Sequence, residues 1–303
     1  MTVMRAGAVL LAAATLAACA RPTAGQAPSA TPTVRYTPIP TASPTPLPPQ
    51  ATATVFVPDL RKLPEAANDA PGLARQLVVV ERAIRDPNIS DEQLKWYGHL
   101  QQLIISRLND FPEWKEPVVN ALPAEYQEPL RQTMEGGRQL RLMGGSPAKA
   151  LPEWKILSPA PSAELLRFYR EAQAEFGVPW EILASINLIE SRMGRIQGLS
   201  SAGAMGPMQF MPATWAAYGK GDPYDPRDSI MSAARYLVAA GARQDIKRGI
   251  FAYNHSGPYV NAVLAYAEAL RLDPNVLRGY YGWQVYYWLE EGPMLLPEGW
   301  KRS

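Results

Sequence analysis

From Pro22 to Pro58 the sequence offers almost no large apolar side chain, and stretches such as Thr37-Pro-Ile-Pro-Thr-Ala-Ser-Pro-Thr-Pro-Leu-Pro-Pro49 repeat proline instead. Such a segment cannot bury enough surface to offset the conformational entropy lost on folding, and its prolines bias it toward an extended polyproline conformation. At about 3.1 Å per residue it would reach on the order of 100 Å. Folding is left to the residues from Asp59 onward. The same segment accounts for part of an odd composition, since the 303-residue chain holds 30 prolines, about twice average usage, and only 19% charged residues.

Residues 1–58 contain Arg5, Arg21 and Arg35 and no Asp or Glu. Setting those three aside leaves 27 of the 30 basic residues against all 28 acidic ones, so the overall charge of +2 turns slightly negative from Asp59 onward. A basic nucleic-acid-binding surface thereby loses its compositional support, and no nucleic-acid partner is expected. One cysteine excludes an intramolecular disulfide framework and a thiolate cluster. Two histidines, His99 and His255, cannot build a histidine-rich metal site. Neither a metal nor any other cofactor is expected.

Residues 1–18 read as an export signal, with Arg5 ahead of an apolar run that is too short to span a bilayer. The sole cysteine, Cys19, follows Leu16-Ala17-Ala18, and this arrangement resembles the lipobox of bacterial lipoproteins. The resemblance implies cleavage before Cys19 and lipidation of that residue, with 19–58 as a disordered tether between the membrane and a folded head.

Residues 59–151 read as a helical accessory region. Leu73, Leu77, Val80 and Ile84 recur at helical spacing up to Pro87, and a second helix opens at Ser90 with Gln93 as a possible capping box. A third, interrupted run through Trp114, Val118, Leu122, Tyr126, Leu130 and Met134 closes at Gly136-Gly137 or at Gly144-Gly145. No catalytic constellation occurs here. The region is expected to serve as a positioning or partner-binding arm or to pack on the domain that begins near residue 152, and His99 within it is expected to be a surface or packing residue.

Chemistry concentrates further on. A helix over 162–176 stops at Gly177, and Pro179 opens another in which Leu183, Ile186, Glu190 and Met193 share one seam. Glu190 is an acid where an aliphatic residue is expected. None of its neighbours one turn away is a cation, and a carboxyl buried without a cation is held protonated near neutral pH, as a general acid requires. Downstream come Ser200-Ser-Ala-Gly-Ala-Met-Gly-Pro-Met-Gln-Phe-Met-Pro212, where Gly203 and Gly206 permit an unusual backbone path, and Ala252-Tyr-Asn254, which interrupts a helical run.

These three pieces, in this order, resemble the lytic transglycosylases of the lysozyme-like superfamily over about 162–270. The resemblance implies Glu190 as the single catalytic acid and base on peptidoglycan glycan strands. It implies Ser200, Gln209, Met211 and Tyr253 as substrate-lining residues, and Asn254 as the motif's asparagine, more structural in role. Pro207 in place of the usual Leu, and His255-Ser256 after the Asn, depart from the commonest pattern and bear on subsite preference. No Asp or Glu lies between Glu190 and Asp222. The implied reaction therefore recruits the substrate's own N-acetyl group and C6 hydroxyl, and it leaves a 1,6-anhydromuramoyl end. The alternatives are a goose-type muramidase in which Asp222 or Asp225 activates water, and a non-catalytic peptidoglycan-binding lipoprotein.

Residues 280–288, Tyr-Tyr-Gly-Trp-Gln-Val-Tyr-Tyr-Trp, favour a β-hairpin closed at Glu-Gly-Pro, with Trp283, Val285, Tyr287 and Leu289 on one face. Trp283 then either stacks on sugar or packs inward. The expected architecture is mainly α, with a lysozyme-like helical domain over 152–272 and an aromatic extension over 273–303.

Overall fold

A computed structural model describes residues 56–302. The expected signal at 1–18, the proposed lipidation site Cys19 and all but the last three tether residues lie outside the described residues. The architecture is mainly α with a C-terminal strand pair, as the periodicities imply.

Helix α1 (Ala70–Arg85) is capped by Asp69, whose side chain accepts from the Gly72 amide at 2.6 Å, and it buries Leu73, Leu77, Val80 and Ile84 completely. Helix α2 (Asp91–Asp110) opens with the reciprocal Ser90–Gln93 capping box that its sequence announces. After a 3-10 turn at Pro112–Trp114 come α3 (Lys115–Val119) and α4 (Ala124–Leu142). The chain continues through β1 (Lys155–Ile156), α5 (Ser162–Phe176), α6 (Trp180–Ser191) and β2 (Ile196–Gln197), which pairs antiparallel with β1. Helices α7 (Pro212–Tyr218), α8 (Pro226–Ala239), α9 (Ile246–Tyr253), α10 (Gly257–Leu272) and α11 (Val276–Tyr281) lead to a hairpin of β3 (Val285–Leu289) and β4 (Gly292–Leu296).

One hydrophobic cluster runs from Leu73 and Leu77 of α1 and Leu100 of α2 to Leu183 and Ile186 of α6 and Val263 of α10. The helices of the 59–151 region thus share a core with α6 and α10, and two glycines make the contact intimate. A Cβ on Gly98 of α2 would lie 2.5 Å from the Gly279 carbonyl oxygen of α11. One on Gly136 of α4 would lie 2.7 Å from the Tyr266 ring of α10. Gly136-Gly137, offered by the sequence as one of two stops, is therefore inside α4, which ends two residues before the left-handed Gly144 (φ 69°). His99 packs inside, 2.8 Å from the Tyr286 hydroxyl, and burial together with Arg195 pushes its pKa down to about 4.

The C-terminal hairpin forms, with its register shifted from the expectation. Tyr280 and Tyr281 complete α11 instead of starting a strand, and Trp283 lies before β3 rather than on its face. The cause is packing. Tyr266, Tyr280 and Trp283 meet edge to face at 5.0–6.0 Å, and the Tyr280 hydroxyl bonds Thr133 of α4, which holds this stretch on the helical core. The turn falls at Glu290-Glu291, while Gly292 and Pro293 already belong to β4.

Candidate active site

Glu190 occupies the last turn of α6, a helix in which every residue from Ile182 to Ile189 is buried. Its own side chain is half-buried, and the Tyr259 hydroxyl in the first turn of α10 donates to its Oε1 at 2.5 Å. Burial pushes the carboxyl up to about 7 from its ordinary 4.5, and the Tyr259 bond offsets part of that rise. Tyr253, at the end of α9, is close enough for the Glu190 charge to add to the rise that burial imposes on its hydroxyl. A carboxyl poised near neutrality and held by one tyrosine hydroxyl can give up a proton and take one back within a single turnover.

Two successive backbone carbonyls fasten the surroundings. The Pro207 carbonyl accepts from Asn187 Nδ2 at 2.8 Å and from Ser191 Oγ at 2.5 Å, both on α6, and Tyr169 of α5 donates to Asn187 Oδ1 at 2.6 Å. The next carbonyl, Met208, accepts from the Tyr253 hydroxyl at 2.6 Å. The glycine-rich loop is thereby pinned to the Glu190 helix by one residue and to the end of α9 by the next. The loop's own shape is unusual. Gly206 has φ 75°, and a Cβ there would sit 1.9 Å from the Pro223 carbonyl oxygen, so only glycine fits. Gln209 takes φ 49° without being glycine, held by amide and side-chain bonds to the Gly206 carbonyl, each 3.0 Å.

Residues 167–271 match the family described as Transglycosylase SLT domain. This span contains Glu190, the loop and the Tyr253-Asn254 turn that the two carbonyls draw together. The match covers about a third of the chain. Among similar proteins are those named membrane-bound lytic murein transglycosylase F from Stutzerimonas stutzeri (strain A1501) and from Thiobacillus denitrificans (strain ATCC 25259 / T1). The first is 32% identical over 115 residues, covering 35% of this chain and 24% of the relative. The second is 31% identical over 120 residues, covering 37% and 25%. Membrane-bound lytic murein transglycosylase F 1 of Alkalilimnicola ehrlichii (strain ATCC BAA-1101 / DSM 17681 / MLHE-1) is 30% identical over 116 residues, covering 36% and 23%. The chain spans about a quarter of the length of these curated relatives. No solved structure matches it significantly.

Within the matched span, Ser200 Oγ accepts from the amides of Ala202 and Ala204 at 3.2 and 3.0 Å, which shapes the turn that opens the loop. Met211 is the half-buried N-cap of α7. Asn254 is the C-cap of α9, and its carbonyl accepts from Ser256 at 2.7 Å. Asp222 and Asp225 are both exposed and both occupied with backbone. Asp222 accepts from the Tyr224 amide, and Asp225 caps α8 by accepting from Asp228. No group of metal-ligating side chains occurs among the described residues.

Tyr259 is the partner that sequence reasoning passed over. The signal was present in Ser256, a good N-cap, and Pro258, a good first-turn residue, which together restart a helix right after the Tyr253-Asn254 turn. That restart turns the side chain of Tyr259 back toward Glu190.

Proposed function

We propose that this chain is a peptidoglycan lytic transglycosylase that cleaves the β-1,4 bond between N-acetylmuramic acid and N-acetylglucosamine. The observation that carries the reading is one carboxyl raised to about 7, while the acids on the neighbouring loop, Asp222 and Asp225, serve as turn and cap acceptors. Glycosidases of the two-carboxylate type need a second acid opposite the bond. Here the substrate supplies the missing group.

Tyr259 holds Oε1 as an acceptor, so the proton of Glu190 sits on Oε2. Oε2 gives this proton to the glycosidic oxygen as the bond to C1 of the muramoyl residue breaks, and the N-acetyl carbonyl oxygen of the same sugar bonds to C1. The Glu190 carboxylate then takes the proton of the C6 hydroxyl. O6 bonds to C1, the carbonyl oxygen leaves, and Glu190 is protonated again. No water is consumed, and the product carries a 1,6-anhydro end. Gln209, Met211, Ser200 and Tyr253 line the substrate in this reading, with Asn254 holding the turn.

Mass spectrometry of digested peptidoglycan tests it. Anhydromuramoyl ends are expected, and reducing ends would establish the muramidase alternative with water as acceptor. The names of the relatives favour action at a membrane, and the lipobox-like context of Cys19 favours a lipid anchor facing the wall. Wild-type protein is expected to incorporate labelled fatty acid in bacterial cells and Cys19→Ser is not. Equal labelling of the two would remove the anchor.

A further inference from the structure

The described residues include 27 Phe, Tyr and Trp side chains, and all but two of them are buried or half-buried. The two exceptions are Tyr224, 43% exposed, and Phe251, 45% exposed. A single exposed apolar residue on a protein surface means little. Here, however, both exposed rings belong to segments that border the Glu190 site.

Tyr224 lies in the loop between α7 and α8, directly after Pro223, whose carbonyl packs on Gly206 of the site loop. Its amide is bonded to Asp222 Oδ1 at 2.8 Å, and Asp225 beside it caps α8. Phe251 lies two residues before Tyr253 on α9, and its ring meets that of the exposed His255 edge to face at 5.3 Å. Each ring is therefore offered to solvent from a backbone fixed by hydrogen bonds, the arrangement in which an aromatic binds with little ordering cost. Sugar rings present flat apolar C–H faces to such a surface, and a glycan strand continues beyond the bond being cut.

We infer that Tyr224 and Phe251 are stacking platforms for sugar rings of the glycan strand beyond the pair joined at the scissile bond. The inference rests on the transglycosylase reading and adds to it two aromatic subsites beyond the scissile pair. His255 braces Phe251 in this arrangement, which gives a purpose to the His255-Ser256 departure from the commoner sequence.

The test compares wild type with Tyr224→Ala, Phe251→Ala and the double variant on purified glycan strands and on a tetrasaccharide cut from them. Each single variant is expected to raise KM on strands about five- to tenfold with kcat changed less than about twofold. The double variant should lose roughly the product of the two. The KM penalty should be several-fold smaller on the tetrasaccharide, which occupies fewer subsites. Tyr224→Phe and Phe251→Trp should retain the low KM while Leu at either position should not, since stacking needs a ring. Melting temperatures should stay near wild type because both rings are exposed. An unaltered KM on strands, an equal penalty on the tetrasaccharide, or full rescue by Leu would overturn the inference while an active wild type leaves the reaction standing. If wild type itself releases no product, the reaction fails, and sedimentation with sacculi still reads the platforms through weaker pelleting of the double variant.

Discussion

Glu190→Gln is expected to lower release of soluble fragments from peptidoglycan by about three orders of magnitude and, at about pH 8, to make the protein more stable. Loss of activity follows from chemistry, since an amide cannot donate a proton to the leaving oxygen or take one from a C6 hydroxyl. The gain in stability follows from linkage. The carboxyl binds its proton more tightly in the folded protein, with a pKa of about 7 against an ordinary 4.5. Its stabilising contribution is complete below the lower value and is lost as pH rises through the higher one. Above neutrality wild type must hold an ionised carboxylate in a half-buried position. At about 1.4 kcal/mol per pH unit, and discounted for partial exposure, that costs about 1–3 kcal/mol. Gln has the same shape, keeps an oxygen to accept from Tyr259, and carries no charge to desolvate. Denaturant unfolding should therefore favour the variant at about pH 8 and bring the two proteins together near pH 4.5. Equal stability at both pH values would mean that the Glu190 pKa is not raised in the folded protein.

What could be read in the sequence was whatever depended on one segment at a time. Leu73, Leu77, Val80 and Ile84 mark a buried stripe because a helix in contact with a core buries one face, and all four are fully covered. The Ser90–Gln93 box and the left-handed Gly177 are likewise local devices, and both are found where the residues suggest. Glu190 stood out as an acid on an apolar seam. Features set by two segments meeting were not legible. Gly136 reads as a helix stop, yet Gly98 and Gly136 are close approaches of α2 to α11 and of α4 to α10. Nothing near them in sequence announces the partner. Tyr259 is similar, because its contact with Glu190 depends on the angle at which α10 leaves the Asn254 turn. The stretch from Tyr280 to Trp288 reads as strand by residue type, but β-propensity reports packing more than backbone preference. The Thr133 and Tyr266 contacts decided its first half in favour of helix.

Trp283→Ala is the second change expected to have a large effect, and its outcome separates the two roles that the sequence left open for this residue. As a sugar platform, Trp283 would be exposed, and its loss would weaken wall binding with little change in melting. It is only 2% exposed, and its Nε1 donates to Gln101 Oε1 at 3.0 Å. Gln101 in turn donates to Glu81, which pairs with Arg85, and Arg85 bonds Asp273 at 2.7 Å. Truncation opens a large cavity beside Tyr266 and Tyr280 and leaves a buried amide oxygen without its donor, at the junction of α1, α2 and α11. Removing a buried Trp costs about 3–5 kcal/mol, a large share of the roughly 5–15 kcal/mol that holds a domain together. Melting should fall by on the order of 10 °C, and by less in Trp283→Phe, which keeps most of the packing and loses the hydrogen bond and a smaller part of the ring volume. Sacculus binding measured well below the lowered midpoint should match wild type, because the ring faces the core. Unaltered melting with weakened sedimentation would instead return Trp283 to the substrate, and the hairpin with it.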